Sequence, residues 1–500
     1  MKPRLHYDDV AWERSEDIAD NWVLQFTKPE VFEPCGEFLD RHHIPGQTDK
    51  FSLLQKGAYN ISFQMTYKDA KTGVIRFVQP GVTMFPEEKT RNEVVAMRYI
   101  YDQTLIPVPF VYYWGSKRWS PLGLSPFIMM EYLEHDTTLY DALNRPDCPN
   151  EERGTLDLDI DEEKLEALYS EAAGVLLQLF RPAFQSIGSL DQIDDFTWDA
   201  NKRPLSMPMN ALIQLGSLPR SKLPQTTFDS TSSYFEALGE LHISHLTHQR
   251  NDAIDSAEDC RRKLVARYLF RNLAQEHQLT KEVYENGPFK LWCDDLRPAN
   301  ILLHEDLQIA GVVDWEFTYA APVEFSLAPP WWLLIEKPEY WSEGLDEWCA
   351  EYEKRLETFL RAMKAREDKM IEQGTLQEEQ RLSGAMQESW ESGDFWIAYA
   401  ARNNFAFDLV YWYEIDQRFF GVVNCPVEDA WKERLDLLSG DERDEIEKIA
   451  ADKVKEMDSR PLVWEPDEYT KDAEKALLEA EKEGSSASAD GDGSDKVDCP

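Results

Sequence analysis

Three polar residues in the second half of the chain have the types and spacing that phosphoryl transfer requires. Asp295 is followed five residues later by Asn300, and Asp314 comes a short distance further along. Phosphoryl transfer needs one carboxylate that positions the attacking hydroxyl, and an asparagine and a second aspartate that hold Mg²⁺ against the phosphates. An aspartate with an asparagine five residues on has the spacing of kinase catalytic loops. We therefore expect Asp295 to be catalytic and Asn300 and Asp314 to be metal ligands.

Two short apolar runs connect the Asp295 loop to Asp314 and would set the distance between them. Leu302-Leu303 and Val312-Val313 read as the strands of a hairpin whose turn lies at Glu305-Asp306. Such a hairpin brings Asp314 back beside the loop. Ordinary turns also favour Asp and Asn, but three such residues in this order, with strands between them, favour the functional interpretation.

The same residues carry a resemblance to a known family. The segments Cys293-Asp294-Asp295-Leu296-Arg297-Pro298-Ala299-Asn300 and Asp314-Trp315-Glu316 resemble the H-G-D-L-H-P-x-N loop and the I-D-W-E segment of the aminoglycoside phosphotransferase and choline kinase-like family, in a branch common in fungi. The resemblance covers about residues 50 to 335. It implies a protein-kinase-like fold, ATP and Mg²⁺ as cofactors, and phosphorylation of a small-molecule hydroxyl.

The chain departs from that family pattern at three positions. Cys293 and Arg297 stand where the family has His, and Asp294 stands where it has Gly. The family's His at the first position is usually a structural brace. Like-charge repulsion between Asp294 and Asp295 is expected to raise the pKa of one of them.

The N-terminal part contains residues suited to bind the nucleotide. Gly57 lies in a turn between two strand-like runs, where it could fold over phosphates or simply close a hairpin. Arg76, on the third strand, is a permanent cation that can reach the α- and β-phosphates. Glu93, on a helix predicted from Pro86 to Gln103, could pair with Arg76 and fix its direction.

Residues 130–133 resemble the hinge that joins the two lobes of a kinase. They follow the short strand Phe127-Ile128-Met129-Met130. On this interpretation the backbone groups of Glu131 and Leu133 bind adenine, and the alternative is a simple buried strand.

The expected architecture is an α+β fold with two lobes. An N-terminal extension (1–47) packs on the domain, a β-rich N-lobe (48–133) carries the nucleotide-binding elements, and a helical C-lobe (134–440) carries the catalytic and metal-binding loops. A charged helical extension (441–483) and a disordered acidic tail (484–500) follow.

Charge and cysteine content limit the partners and the compartment. The net charge is −41, so the surface repels a phosphate backbone and we expect no nucleic-acid partner. Seven scattered cysteines without a C-x-x-C pair indicate a reducing compartment. With no signal peptide and no apolar run of membrane-spanning length, we expect a soluble, cytoplasmic protein without a membrane partner. The oligomeric state and the identity of the acceptor cannot be read from the chain.

Three other features are assigned to structure rather than to function. The histidines 242, 245 and 248 are expected on a helix surface rather than around a metal. Trp331-Trp332 are expected in the core rather than on a ligand platform. The helix Arg443–Met457 is expected to be exposed.

Three other functions stay open or are disfavoured. The Cys293 and Arg297 departures suit a nucleotide-binding pseudokinase. A protein kinase is disfavoured because Phe317–Phe325 stands where an Ala-Pro-Glu segment would follow Asp314. The acidic C-terminal region could instead make the protein an adaptor.

Overall fold

A computed structural model gives the fold of most of the chain. It describes residues 6–42, 46–69, 71–145, 154 and 156–489, the last ten of them (480–489) by their backbone alone.

The N-terminal part is a five-stranded antiparallel sheet with one long helix and two leading helices. The strand order is β1-β2-β3-β5-β4. The strands and the helix predicted from residues 51 to 130 are confirmed, and β4 was not predicted. In chain order the elements are α1 (Asp9–Leu24), α2 (Pro29–His42), β1 (Thr48–Lys56), β2 (Asn60–Tyr67), β3 (Thr72–Val78), α3 (Pro86–Gln103), β4 (Val111–Gly115) and β5 (Phe127–Glu131).

The remainder is a larger helical lobe that contains three small sheets. Together the two parts form a two-lobed, protein-kinase-like α+β fold, as expected. The elements are β6 (Thr137–Thr138), α4 (Leu139–Leu143), α5 (Glu162–Phe180), β7 (Ser189–Asp194), β8 (Thr197–Lys202), α6 (Met207–Gly216), α7 (Thr231–His248), α8 (Ala257–Gln275), β9 (Lys290–Cys293), β10 (Ile301–Leu303), β11 (Ile309–Val312), β12 (Thr318–Ala321), α9 (Val323–Leu327), α10 (Leu345–Glu372), α11 (Ser383–Ser392), α12 (Asp394–Arg402), α13 (Phe407–Val410), α14 (Asp416–Phe420), α15 (Ala430–Arg434), α16 (Gly440–Glu456) and α17 (Glu468–Ala489).

Two antiparallel strand pairs position the residues between β9 and β12. β10 and β11 form the predicted hairpin, with Ile301 opposite Val312. β12 returns beside β9, with Thr318 opposite Cys293. The loop after β9 and the loop before β12 therefore start from neighbouring positions, which brings Asp295 and Asp314 together.

Both ends of the described chain contact the loop that joins β3 to α3. In α1, the backbone around Ser15 approaches Gly81 so closely that a Cβ on Gly81 would lie 2.5 Å from the Ser15 carbonyl oxygen. The amide of Gly81 donates to Thr470 Oγ1 of α17 at 2.9 Å. Gly81 also has a φ of +88°, a conformation that a residue with a Cβ adopts at a cost.

Two of the three histidines of α7 lie in the core rather than on the expected helix surface. His242 and His245 are buried, at 0% and 5% exposure, because α7 packs against α8, α6 and α12. His242 Nδ1 lies 2.8 Å from Asn404 Nδ2, and His245 Nε2 lies 2.6 Å from Gln249 Oε1. Half-buried His248 comes nearer to the expected surface position.

The charged helix α16 is amphipathic rather than exposed all round. Ile446 and Ala450 are fully buried, and the helix packs on α8. Within the described ranges no helix is long and apolar enough to cross a bilayer. α17 runs through Ala489, into the tail expected to be disordered, and residues 490–500 lie outside the described part.

Gly81→Ala should destabilise the protein by at least about 2 kcal/mol, because a Cβ there is strained by its positive φ and collides with α1. Gly123→Ala is the matched control, since Gly123 also has a positive φ, +64°, but open space around its Cβ position. Denaturant unfolding of both variants measures the difference. Equal losses would show that the contact with α1 contributes nothing.

Lowering the pH from 7 to 5 should destabilise the fold through the buried histidines. Burial lowers the pKa of His245 to about 3 and the pKa of His242 well below its usual value. Both rings are neutral in the folded chain, whereas the unfolded chain protonates them below about pH 6.5. Stability is therefore lost as the pH falls below about 6.5. NMR of the imidazole rings should find both neutral at pH 5, and His245→Gln should shallow the fall in stability. A protonated His245 ring at pH 5 would contradict the prediction.

Candidate active site

The loop after β9 holds Asp295 in one orientation. Asn300 Nδ2 donates to the Asp295 backbone carbonyl at 2.8 Å and to Asp295 Oδ2 at 3.0 Å. Arg297 Nε donates to the other carboxylate oxygen at 2.9 Å. The spacing of five residues thus has a direct geometric meaning, because Asn300 folds back onto the carboxylate that precedes it.

Asp314 is placed beside this loop by a sharp turn of the chain. It follows β11 with a φ of +64°, which costs less for Asp than for most residues that carry a Cβ. Just before it, the Val313 amide donates to the carbonyl of Asn300 at 2.9 Å. The end of the hairpin is therefore hydrogen-bonded directly to the loop that carries Asp295.

Three carboxylates converge at this point. Oxygens of Asp295, Asp314 and Glu316 all lie within 4.8 Å of one another. Burial raises the pKa of Asp295 to about 6, Arg297 opposes that rise and the charge of Asp314 adds to it. Burial also raises the pKa of Glu316, and the charge of Lys89 opposes that rise. Crowded carboxylate oxygens are the donor set that Mg²⁺ prefers, so these residues fit a divalent cation.

Arg76 joins the N-lobe to this cluster. Its Nη1 donates to Asp314 Oδ1 at 2.8 Å, and its Nη2 forms a buried ion pair with Glu93 of α3. These carboxylates raise the pKa of Arg76 against the effect of burial. The strand and the helix of the small lobe therefore meet the hairpin of the large lobe through one guanidinium.

A second buried ion pair links the same elements. Lys89, one helical turn before Glu93, pairs with Glu316, and both side chains are almost fully buried. Asn60 Nδ2 donates to Glu316 Oε2 at 2.8 Å, and Lys89 Nζ donates to Asn60 Oδ1 at 3.1 Å. Glu316 is thus held by the β1–β2 turn and by α3 at once.

Gly57 lies in the β1–β2 turn but contacts the cluster only indirectly. Its amide donates to the Asn60 carbonyl at 2.9 Å, and its own carbonyl accepts from Gln79 Nε2 at 2.9 Å. The turn is therefore fixed by hydrogen bonds, and Asn60 is the residue through which it reaches Glu316.

Glu131 and Leu133 lie at the end of β5, where the chain passes from the small lobe to the large one. The Glu131 amide donates a hydrogen bond to the Phe110 carbonyl at 2.9 Å. In the part of the chain described here, the Leu133 amide has no backbone partner. The Leu133 side chain packs over Gly311 of β11, since a Cβ on Gly311 would come within 2.2 Å of it. The segment therefore lies beside the strand that leads to Asp314.

Two of the departures from the family pattern have clear surroundings. The buried Cys293 thiol donates to the Glu316 carbonyl at 3.5 Å, so it ties β9 to the cluster. Asp294 points elsewhere: its oxygens accept from Trp292 Nε1 at 2.7 Å and from the Met207 amide, at the start of α6, at 3.0 Å. Burial is the first cause of the raised pKa of Asp294. The expected repulsion acts on Asp295 instead from Asp314.

Four residues that hold the site together were given no role from sequence. They are Asn60, Lys89, Arg297 and Glu316. Lys89 and Glu93 are four residues apart on one helix, a spacing that puts them on the same face. Glu316 follows Asp314 by two residues. Both spacings indicate residues of the site once Arg76, Glu93 and Asp314 are treated as one cluster.

No protein-family model and no curated protein matches the chain. Among solved structures, a thermostable aminoglycoside phosphotransferase, APH(4)-Ia, in a ternary complex with AMP-PNP and hygromycin B is 15% identical, with a TM-score of 0.38 over 77% of this chain and 99% of that one. An ethanolamine kinase from Plasmodium vivax is 11% identical, with a TM-score of 0.37 over 79% and 84%. A putative fructosamine-3-kinase from Thermobifida fusca is 12% identical, with a TM-score of 0.35 over 82% and 94%. The fold assignment rests on the arrangement of the elements themselves.

Breaking the Lys89–Glu316 pair should test whether it holds the lobes together. Lys89→Met leaves a buried carboxylate without its cation, which should lower the free energy of unfolding by roughly 3 kcal/mol. The double variant Lys89→Met/Glu316→Gln should recover part of that loss, and the two single variants complete the cycle. Lys354→Met, which breaks an exposed pair with Glu351, is the control and should change little. Losses that simply add in the double variant would contradict the coupling.

Proposed function

We propose that this protein is a phosphotransferase that uses ATP and Mg²⁺ to phosphorylate a hydroxyl of a small molecule. The observation that carries the proposal is the convergence of Asp295, Asp314 and Glu316 within 4.8 Å of one another, between the sheet and the helical lobe. Two basic residues from the small lobe contact this cluster, Arg76 at Asp314 and Lys89 at Glu316. This is the combination of carboxylates and cations that positions a metal-bound triphosphate.

Asp314 and Asn300 would hold the metal ion, with Glu316 within reach as a third oxygen donor. The side-chain Nδ2 of Asn300 donates to Asp295, so the side-chain oxygen of Asn300 is the atom that would bind a cation. When bound, Mg²⁺ offsets the charge of the phosphates and aligns them.

The nucleotide would lie between the two lobes. Arg76, already directed by Glu93, would exchange part of its contact with Asp314 for phosphate oxygens. The β1–β2 turn with Gly57 would cover the phosphates, and the free amide of Leu133, with the carbonyl of Glu131, would meet the adenine edge. These roles follow from positions that the sequence suggested independently.

Asp295 would orient the acceptor and take its proton. The acceptor oxygen forms a new bond to the γ-phosphorus, the bond from that phosphorus to the bridging oxygen breaks, and ADP leaves. The hydroxyl proton passes to the carboxylate of Asp295. A pKa of about 6 leaves this carboxylate mostly ionised at neutral pH while keeping it basic enough to accept the proton.

Asp295→Asn should lower the rate of phosphoryl transfer by roughly 10²–10⁴-fold and leave the binding of Mg·AMP-PNP intact, because a general base contributes about that much. Asp314→Asn should weaken Mg·AMP-PNP binding itself. Asp306→Asn, an exposed position at the tip of the same hairpin, is the matched control and should change neither. Isothermal titration measures binding, and ATP consumption against a panel of hydroxyl compounds measures transfer.

The same experiments separate an enzyme from a pseudokinase. Mg·AMP-PNP binding that requires Asp314, with no transfer to any acceptor and none to water, would favour the pseudokinase. Wild-type protein that does not bind Mg·AMP-PNP would overturn both.

A further inference from the structure

A second cleft borders the loop that carries Asp295. Asp294 and Leu296, which flank Asp295 in the chain, both line it, so the cleft begins within one residue, about 4 Å of backbone, of the proposed base. Its walls are mainly aromatic and apolar, with Trp292, Leu296, Trp331, Trp332, Phe395 and Tyr399.

Trp331 and Trp332 were both expected in the core, but only Trp332 lies there, and Trp331 lies in the wall of the cleft. Trp332 is 3% exposed and belongs to the core as expected. Trp331 is half-buried and lines the cleft, with Lys337 Nζ 5.3 Å from the centre of its ring. An aromatic surface that is partly open beside a catalytic loop is suited to a flat ligand.

Arg402, at the end of α12, carries the one cationic fork in the wall of this cleft. Its Cζ lies 4.4 Å from the centre of the Trp292 ring and 4.7 Å from that of Phe325. Its Nε donates to the Ala398 carbonyl at 3.0 Å. Across the described residues no carboxylate comes within ion-pair distance of it, and the two Nη groups make no hydrogen bond.

Asp294 does not form an ion pair with Arg402. Both of its oxygens already accept hydrogen bonds, from Trp292 Nε1 and from the Met207 amide. Burial lowers the pKa of Arg402, with the charge of Asp294 acting against it. Arg402 is half-buried, and a planar fork whose Nη groups make no hydrogen bond matches a carboxylate in bidentate geometry.

We propose, on the basis of the function proposed above, that the acceptor is a flat apolar hydroxy acid whose carboxylate binds Arg402. Its ring system packs against Trp331 and its neighbours, and its hydroxyl reaches the Asp295 end of the cleft. Arg402 disfavours a cationic ligand beside it, so its end of the cleft selects against amines, although the protein as a whole is strongly acidic.

Three matched compounds test the charge preference without ATP. 4-Hydroxyphenylacetate, 4-hydroxyphenylacetamide and tyramine share one ring and one hydroxyl and carry a negative, a neutral and a positive group. Isothermal titration at millimolar ligand should give the acid an affinity roughly tenfold or more above the amide, with tyramine weakest. An acid that binds no better than the amide, a preference for tyramine, or no binding by any of the three overturns the proposal.

Two variants locate the preference. Arg402→Met should bring the acid down to the affinity of the amide, and Arg402→Lys should retain part of the difference. Arg361→Met, an exposed arginine on α10, is the control and should leave the order unchanged. Trp331→Ala should weaken all three compounds by a similar factor. A preference for the acid that survives Arg402→Met in folded protein would overturn the proposal.

The outcome is separable from that of the proposed function. The acid can be bound in the expected order by a protein that never transfers phosphate, which would remove the phosphotransferase and keep the ligand class of the cleft. Transfer to tyramine but not to the acid would do the reverse.

Discussion

The structure around Asp295, Asp314 and Glu316 depends on how the charges of buried acidic and basic side chains offset one another. Burying a single carboxylate is unfavourable unless a cation or hydrogen-bond donors accompany it. Four carboxylates meet three cations here, which leaves one formal negative charge. They are Glu93, Asp295, Asp314 and Glu316, with Arg76, Lys89 and Arg297. Two of the pairs, Arg76–Asp314 and Lys89–Glu316, run between the lobes, so they also fix the sheet against the hairpin.

Much of this site could be predicted because its residues act locally. Asn300 reaches Asp295 across five positions, and the hairpin returns Asp314 to the loop, so short-range spacing carries the geometry. The left-handed turn at Asp314 and the pairing of Lys89 with Glu316 depend on where α3 packs. Lys89 and Glu316 are more than two hundred positions apart in the chain, a separation that no local pattern encodes.

The errors have a common physical origin. The histidines of α7 looked like surface residues because His is amphipathic, but neutral imidazoles can be buried when each ring nitrogen finds a partner or an aromatic neighbour. His242 contacts Asn404 through Nδ1 and packs its ring against that of Phe407. Similarly, the charge of α16 concealed its apolar stripe, and only the neighbouring α8 shows which face is inward. Tertiary partners, rather than composition, decided these cases.

The loop between β3 and α3 is bonded to the large lobe as well as to both ends of the described chain. The Met84 amide donates to Asn210 Oδ1 at 2.8 Å, and Asn210 Nδ2 donates to the Val82 carbonyl at 3.0 Å. A rigid-body rotation of the sheet about the residue 130–133 connection would have to shear these bonds. Local displacement of the β1–β2 turn leaves them intact. A ligand that enters between the lobes would therefore depend on displacement of that turn rather than on wide hinge opening.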